Sequence, residues 1–200
     1  MPHAQAIAER SAGAGAAEPE AVLRALEAGD HRTALDLLSQ AHGREIYRYC
    51  RMMLGDPERA QDALQTTFVQ AYEGLSRFRR GSSPRTWLYS IARHRCLDLL
   101  RSSRRWERRA TGLDGISETA ASPGGPEQAL LEKEARRALQ DCLSRLAAPA
   151  RDAVVQRHIE GLSYDEMAEV SRELAGTLRV RVARALPLLR RCLQAAGLAR

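Results

Sequence analysis

The sequence is poor in aromatic residues, which make up 4% of its 200 positions, with two phenylalanines and two tryptophans. β-Branched runs are nearly absent while Leu and Ala dominate, which excludes a sheet-built core and predicts an all-helical chain. There is no stretch of about 18 apolar residues, so no membrane-spanning segment is expected. The N-terminus lacks a basic start followed by an apolar core, so no secretory signal is expected. A cytoplasmic protein without membrane insertion follows. Only four cysteines occur: Cys50, Cys96, Cys142 and Cys192. They are scattered, with no C-x-x-C pair and no histidine at zinc spacing. They are expected to be small buried hydrophobes in a reducing compartment, with a thiol switch as the alternative. The five histidines are equally dispersed. No nucleophile–base arrangement, Gly-rich phosphate loop or carboxylate pair is present. The expectation is a protein that is not an enzyme, with no cofactor and no metal.

Lysine is the scarcest charged residue: Lys133 stands alone against thirty arginines. Ten of these arginines fall between Arg79 and Arg109, opposed only by Asp98 and Glu107, which gives that stretch +8 while the whole chain carries +6. The basicity is therefore local, and Trp87, Tyr89 and Trp106 lie within it. A concentrated cationic face beside aromatics is the electrostatic footprint of nucleic-acid binding. Arginine also forks onto phosphate and guanine edges better than lysine does. Composition alone leaves a solvated arginine-rich helix equally open, so the flanking segments decide.

Residues 1–17 are Ala/Gly-rich and aperiodic, and are expected to be a disordered extension. A short helix is predicted from about Glu18 to Ala28. The next places Leu35, Leu38, His42, Ile46, Tyr49 and Met53 on one stripe and ends at Gly55. Asp56-Pro57-Glu58 then supplies an N-cap, a proline at the first helical position and an acidic first turn. Ala60, Leu64, Phe68, Ala71 and Leu75 form the buried stripe of the helix that follows. R-R-G-S-S-P (79–84) reads as a loop, and Pro84 opens a helix carrying Trp87, Leu88, Ile91, Ala92, Cys96, Leu99 and Leu100. Residues 110–126 read as a linker by composition. They divide the chain into helical units over 18–109 and 127–200, each small enough to be marginal alone. The second unit begins with a helix from about Pro126 to Leu146, then one from Pro149 to Glu160. Ser163 with Glu166 has capping-box spacing, and the short helix it opens is followed by a helix from about Gly176. Two short helices joined by a tight turn, the second rich in arginine, fit a helix-turn-helix.

Three blocks decide the question: L-G-D-P-E-R-A-Q-D-A-L-Q-T-T-F-V-Q-A-Y at 54–72, F-R-R-G-S-S-P-R-T-W-L-Y-S-I-A-R-H-R-C-L-D-L-L-R at 78–101, and G-L-S-Y-D-E-M-A-E-V with G-T-L-R-V-R-V-A-R-A at 161–170 and 176–185. In this order, across about 20–195, they resemble a sigma-70 family sigma factor of the extracytoplasmic-function (ECF) group. The resemblance implies two small helical domains joined by a flexible linker. Domain 2 (18–109) would bind core RNA polymerase and the −10 element. Domain 4 (127–200) would bind the β flap of the polymerase and the −35 element. Asp62, Gln65, Phe68 and Val69 would meet the β′ clamp helices. Arg79, Arg80, Ser82 and Arg85 would sit against an extruded −10 base, with Arg93, His94, Asp98, Arg101, Arg104 and Arg105 along the strand. Thr177, Arg179, Val180, Arg181 and Arg184 would enter the −35 major groove. With no sensing domain appended, regulation would come from a separate anti-sigma factor.

Three positions depart from the family pattern. His94 stands where asparagine is usual, which alters the donor and acceptor character facing a base. Ser171-Arg172 replaces Leu-Gly at the turn, and an arginine in a left-handed conformation costs roughly 1 kcal/mol, so a differently built turn is expected. Pro187 interrupts the last helix, and a break near 185–187 is expected. Three other functions fit parts of this pattern. A sigma-like mimic that titrates an anti-sigma factor would keep the fold. A conventional helix-turn-helix regulator would leave 54–72 without a use. A thiol or metal sensor would need closer cysteine spacing.

Overall fold

The computed structural model describes residues 17–78, 83–107 and 126–198. Among them every regular element is helical. The first unit comprises α1 (Ala17–Glu27), α2 (His31–Leu54), α3 (Pro57–Gly74), a 3-10 turn (Leu75–Arg77) and α4 (Pro84–Glu107). The second comprises α5 (Pro126–Ser144), α6 (Ala148–Val154), a π turn (Val155–Ile159), α7 (Tyr164–Ser171) and α8 (Ala175–Ala195). The expected extension at 1–17, Ala17 apart, and the expected linker at 110–126, Pro126 apart, lie outside the described residues.

Local chemistry sets the boundaries. Asp30 caps α2, accepting from the Thr33 amide at 3.0 Å and the Thr33 hydroxyl at 2.7 Å. Gly55 ends α2 in the left-handed conformation, at φ 80°. This needs no Cβ and lets the chain turn at once into the Asp56 cap, which accepts from the Arg59 amide at 2.8 Å. α2 buries Ala34, Leu38, His42, Ile46, Tyr49, Cys50 and Met53. α3 faces it with Ala60, Ala63, Thr67 and Ala71, while Leu64 and Phe68 are only partly buried. Small residues at the contact allow close helix approach. Phe78 and Trp87 pack with ring centroids 5.0 Å apart, and Trp87 joins the edge of the core.

One hydrophobic cluster runs through both units, from Val22 and Leu38 to Met167 and Leu189. The two expected marginal units thus lean on each other. This explains why α4 buries Tyr89, Arg93 and Leu97 in addition to Leu88, Ala92 and Cys96: its second face is covered by α7 and α6.

The second unit corrects three expectations. The turn between α7 and α8 keeps its left-handed residue, and Arg172 adopts it at φ 57°, ψ 36°, with its amide on the Ala168 carbonyl. α7 is held at its start by a complete capping box between Ser163 and Glu166. The turn geometry therefore follows from the packing of two helices, at an arginine's expense. α8 runs unbroken through Pro187. Pro187 lies on the exposed side, where water can take the Ala183 carbonyl, while Val182, Ala185 and Leu189 hold the helix from the buried side. Finally, Cys142 and Cys192 form a disulfide that ties α5 to the end of α8, whereas Cys50 and Cys96 are free and buried, as expected of all four. The pair is fifty residues apart in sequence, so spacing could not reveal it.

Candidate nucleic-acid and polymerase interfaces

On α3, steps of three and four set Asp62, Gln65 and Val69 on the exposed face. Val69 is 58% exposed and Tyr72, one step on, 50%. Phe68 turns inward against the core. The strip therefore reads Asp62, Gln65, Val69, Tyr72. Tyr72 was overlooked in the sequence, although the same spacing points to it.

On α4, His94, Asp98 and Arg101 form an exposed line. Arg101 donates to Asp98 at 2.9 Å, and His94 Nδ1 lies 2.7 Å from the Ser90 carbonyl. Arg79, Arg80 and Ser82 fall outside the described residues, as do the side chains of Arg104 and Arg105. Arg93, expected beside Arg101 on the strand-tracking face, is instead buried, 8% exposed. Its Nε donates to Asp152 Oδ2 at 2.6 Å, and its Nη2 to Glu173 Oε1 at 3.4 Å. Arg85 is also turned inward. It donates to Glu45 at 3.0 Å and to the Glu160 carbonyl at 2.8 Å, with its guanidinium 5.3 Å from the Tyr89 ring centre.

Two carboxylates of the second unit organise this region. Asp152 also accepts from the Tyr49 hydroxyl at 2.7 Å and from Gln156 at 2.5 Å. Glu160 accepts twice from Arg48, at 3.1 and 2.5 Å, and from the Tyr89 hydroxyl at 2.8 Å. The π turn places Glu160 there, with the Glu160 amide reaching back to Val155. Burial and the neighbouring Asp152 push the Tyr49 phenol well above its ordinary range, so it remains a donor. Sequence reasoning missed Asp152 and Glu160. The available signal was weak: Asp152 adjoins the apolar run Ala153-Val154-Val155 and Glu160 follows Ile159, positions where a buried charge needs a partner.

On α8, Leu178, Val182 and Ala185 are buried while Thr177, Arg179, Val180 and Arg184 face solvent. Arg181 is half-buried and pairs with Glu173 through both guanidinium nitrogens, one at 2.9 Å. Arg179 and Arg157 each place a guanidinium 4.9 Å from the centre of the Tyr164 ring. A cleft of about 410 Å³ between α4 and the second unit is lined by Arg93, His94, Arg101, Pro149, Glu173 and Arg181. Residues assigned to both promoter elements thus open onto one cleft. Among the described residues, no three His, Cys, Asp or Glu side chains gather to hold a metal ion, and no helix is long and apolar enough to cross a membrane.

An all-helical chain with a helix-turn-helix, an arginine-bearing second helix and a separate basic helical unit defines a class of helical DNA-binding proteins. Comparison places it within that class. Residues 38–106 match the family model for Sigma-70 region 2, and residues 136–189 that for Sigma-70, region 4. The chain is 31% identical to the RNA polymerase sigma-H factor of Pseudomonas aeruginosa over 186 residues, covering 88% of this chain and 94% of that one. It is 33% identical to the ECF RNA polymerase sigma factor SigM of Mycobacterium tuberculosis over 172 residues, covering 86% and 83%. Its fold resembles CnrH in complex with the cytosolic domain of CnrY, with a TM-score of 0.67 and 25% identity over 90% of this chain and 98% of that one. It also resembles the sigma factor RpoE in complex with the anti-sigma factor NepR from Bartonella quintana, with a TM-score of 0.64 and 22% identity over 82% and 97%. The chain belongs to the ECF group of the sigma-70 family: it is a transcription-initiation factor.

Proposed function

We propose that this chain acts in the cytoplasm, without catalysis of its own, as the promoter-reading subunit of RNA polymerase, through the following surfaces. Domain 2 (18–109) docks on the β′ clamp helices with the α3 strip Asp62, Gln65 and Val69, extended by Tyr72 and backed by Phe68. Its loop and α4 hold the displaced −10 strand with Arg79, Arg80, Ser82, His94, Asp98, Arg101, Arg104 and Arg105, while Arg85 and Arg93 are turned inward onto carboxylates behind that face. Domain 4 (127–200) docks on the β flap and reads −35 with Thr177, Arg179, Val180, Arg181 and Arg184. Residues 110–126 tether the two, so each weak contact raises the effective concentration of the other. A separate anti-sigma protein covers both domains.

The observation that carries this reading is the exposed polar and apolar strip on α3. A stand-alone helix-turn-helix regulator has no use for it, whereas a protein that must sit on another before reading DNA does. Opening a duplex costs a few kcal/mol per unstacked base, and a cationic surface on the phosphates offsets that cost. Run-off transcription with core polymerase from the source bacterium is the test. The parent chain is expected to give promoter-specific transcripts. Asp62→Lys with Val69→Asp is expected to abolish them while leaving duplex binding by domain 4 intact. Arg101→Ala with Arg104→Ala should weaken promoter complexes and flatten their salt dependence. No transcript from the parent chain would refute the assignment.

A further inference from the structure

We infer that His94 selects one base of the displaced −10 strand by accepting a hydrogen bond from its exocyclic amino group, through an imidazole Nε2 that the Ser90 carbonyl keeps free of a proton. Adenine, cytosine and guanine carry such a group, and thymine does not. The inference rests on the −10 role proposed above for α4 and names the chemistry of the base that this position takes.

The tautomer follows from one contact. His94 Nδ1 lies 2.7 Å from the Ser90 carbonyl oxygen, one turn earlier on α4. A carbonyl can only accept, so the nitrogen facing it carries the proton. Neutral imidazole has a single N–H. Nε2 is therefore bare: it can accept a hydrogen bond but cannot give one. The bond to Ser90 also fixes the ring, so the lone pair has a set direction. His94 is exposed and makes no other hydrogen bond among the described residues.

The surroundings suit a nucleotide. Of the α4 groups that line the cleft, Leu97 and Leu100 are apolar, Arg101 is cationic and His94 is the acceptor. A nucleotide offers a base face, a phosphate and a base edge, and these three kinds of group meet them in turn. Arg101, steadied by Asp98 at 2.9 Å, takes the phosphate. His94 cannot, because a bare nitrogen and a phosphate oxygen present lone pairs to each other. What is left for it is a donor on a base edge.

The choice of base then follows from the edges. An amino group donates without opposition. Thymine has one ring N–H, flanked by two carbonyl oxygens that repel the incoming lone pair. Asparagine at this position would offer both a donor and an acceptor and could satisfy either kind of edge. Histidine in this tautomer narrows the choice, so the departure at position 94 makes the readout more selective.

The test uses the full chain with core polymerase from the source bacterium, at about pH 8, above the ordinary histidine value of about 6.5. The probe is a fork-junction DNA pool whose displaced −10 strand is randomised, and the bound molecules are sequenced. The parent is expected to show a position where thymine is depleted, and His94→Phe to lose that preference at that position alone. His94→Gln, with both a donor and an acceptor, should admit thymine there and keep the other three bases. On the selected DNA, the base at that position is then replaced by its analogue without the amino group: purine for adenine, hypoxanthine for guanine, 2-pyrimidinone for cytosine. The parent should bind the analogue about three- to tenfold more weakly, the worth of one hydrogen bond. His94→Phe should bind base and analogue equally, with the parent's salt dependence, since no phosphate contact is lost. Heteronuclear NMR of the imidazole nitrogens in the full chain reads the tautomer directly, with the proton expected on Nδ1. A proton on Nε2, a −10 preference unmoved by His94→Phe, or equal binding of base and analogue by the parent would each overturn the inference and spare the sigma assignment. A parent holoenzyme that selects no sequence at all sinks that assignment and this inference with it.

Discussion

Arg93 and Arg181 donate to the same carboxylate oxygen, Glu173 Oε1. One arginine belongs to the basic helix of domain 2, the other to the second helix of the helix-turn-helix. Their meeting makes domain 4 part of the solvent-shielding shell of domain 2.

Tyr49 is fully buried and gives its hydroxyl to Asp152 while its ring packs edge-on to Tyr89 at 5.5 Å. Tyr49→Phe keeps the packing and leaves the buried carboxylate one donor short. A loss of about 1–3 kcal/mol is expected, measured as a lower urea midpoint with unchanged slope.

Glu45 bonds Arg85 at 3.0 Å and has His42 3.7 Å away. His42 first, and then Arg85, hold its carboxyl at about 2, against the opposing effect of burial. Arg181 likewise lowers Glu173. Both groups therefore bind protons more weakly in the folded chain than in the unfolded one. Their contribution is full above the ordinary carboxylate value of 4.5 and is lost as pH falls from there towards about 2. Thermal melts from pH 6 downwards should show a midpoint that falls most steeply below about 4.5. Glu45→Gln should flatten that slope.

The Cys142–Cys192 disulfide closes a loop with a sequence separation of 50. Reduction should cost about 2–4 kcal/mol, the usual range for a native disulfide. Urea melts with and without dithiothreitol measure it. Thiol titration in denaturant should find two free thiols before reduction, from Cys50 and Cys96, and four after it.

Tyr164 receives both Arg157 and Arg179 on its ring. Stacking limits the positions Arg179 can take, and with them its proposed approach to DNA. Tyr164→Ala should weaken −35 duplex binding about two- to fivefold, the worth of one exposed cation–π contact. Tyr164→Phe, which keeps the ring, should restore it.

Much of the fold was legible because its signals are local. Gly55, Asp56-Pro57 and the Ser163/Glu166 box each act through bonds to backbone within four residues, and all fall where the sequence places them. The outward positions on α3 and α8 were legible for the same reason: a 3.6-residue period sorts exposed from buried once one face is known. Phe68 was the exception, assigned to a surface by motif while periodicity put it inside. Arg93 failed differently. Periodicity treats a helix as having one buried face, but α4 has two, and nothing between 84 and 107 indicates that the second is covered from residues 148–173.

By itself, the sequence determined the helices, their caps, the arginine-rich stretch and the family, because each depends on spacing along the chain or on local backbone chemistry. Tertiary structure alone decided the partners of Arg93 and Arg85, the pairing of Cys142 with Cys192, the continuity of α8 through Pro187 and the left-handed Arg172. In each case, groups 40 to 80 residues apart in sequence are brought within bonding distance, or packing outweighs a local preference worth about 1–3 kcal/mol. Spacing along a chain carries no information on such encounters.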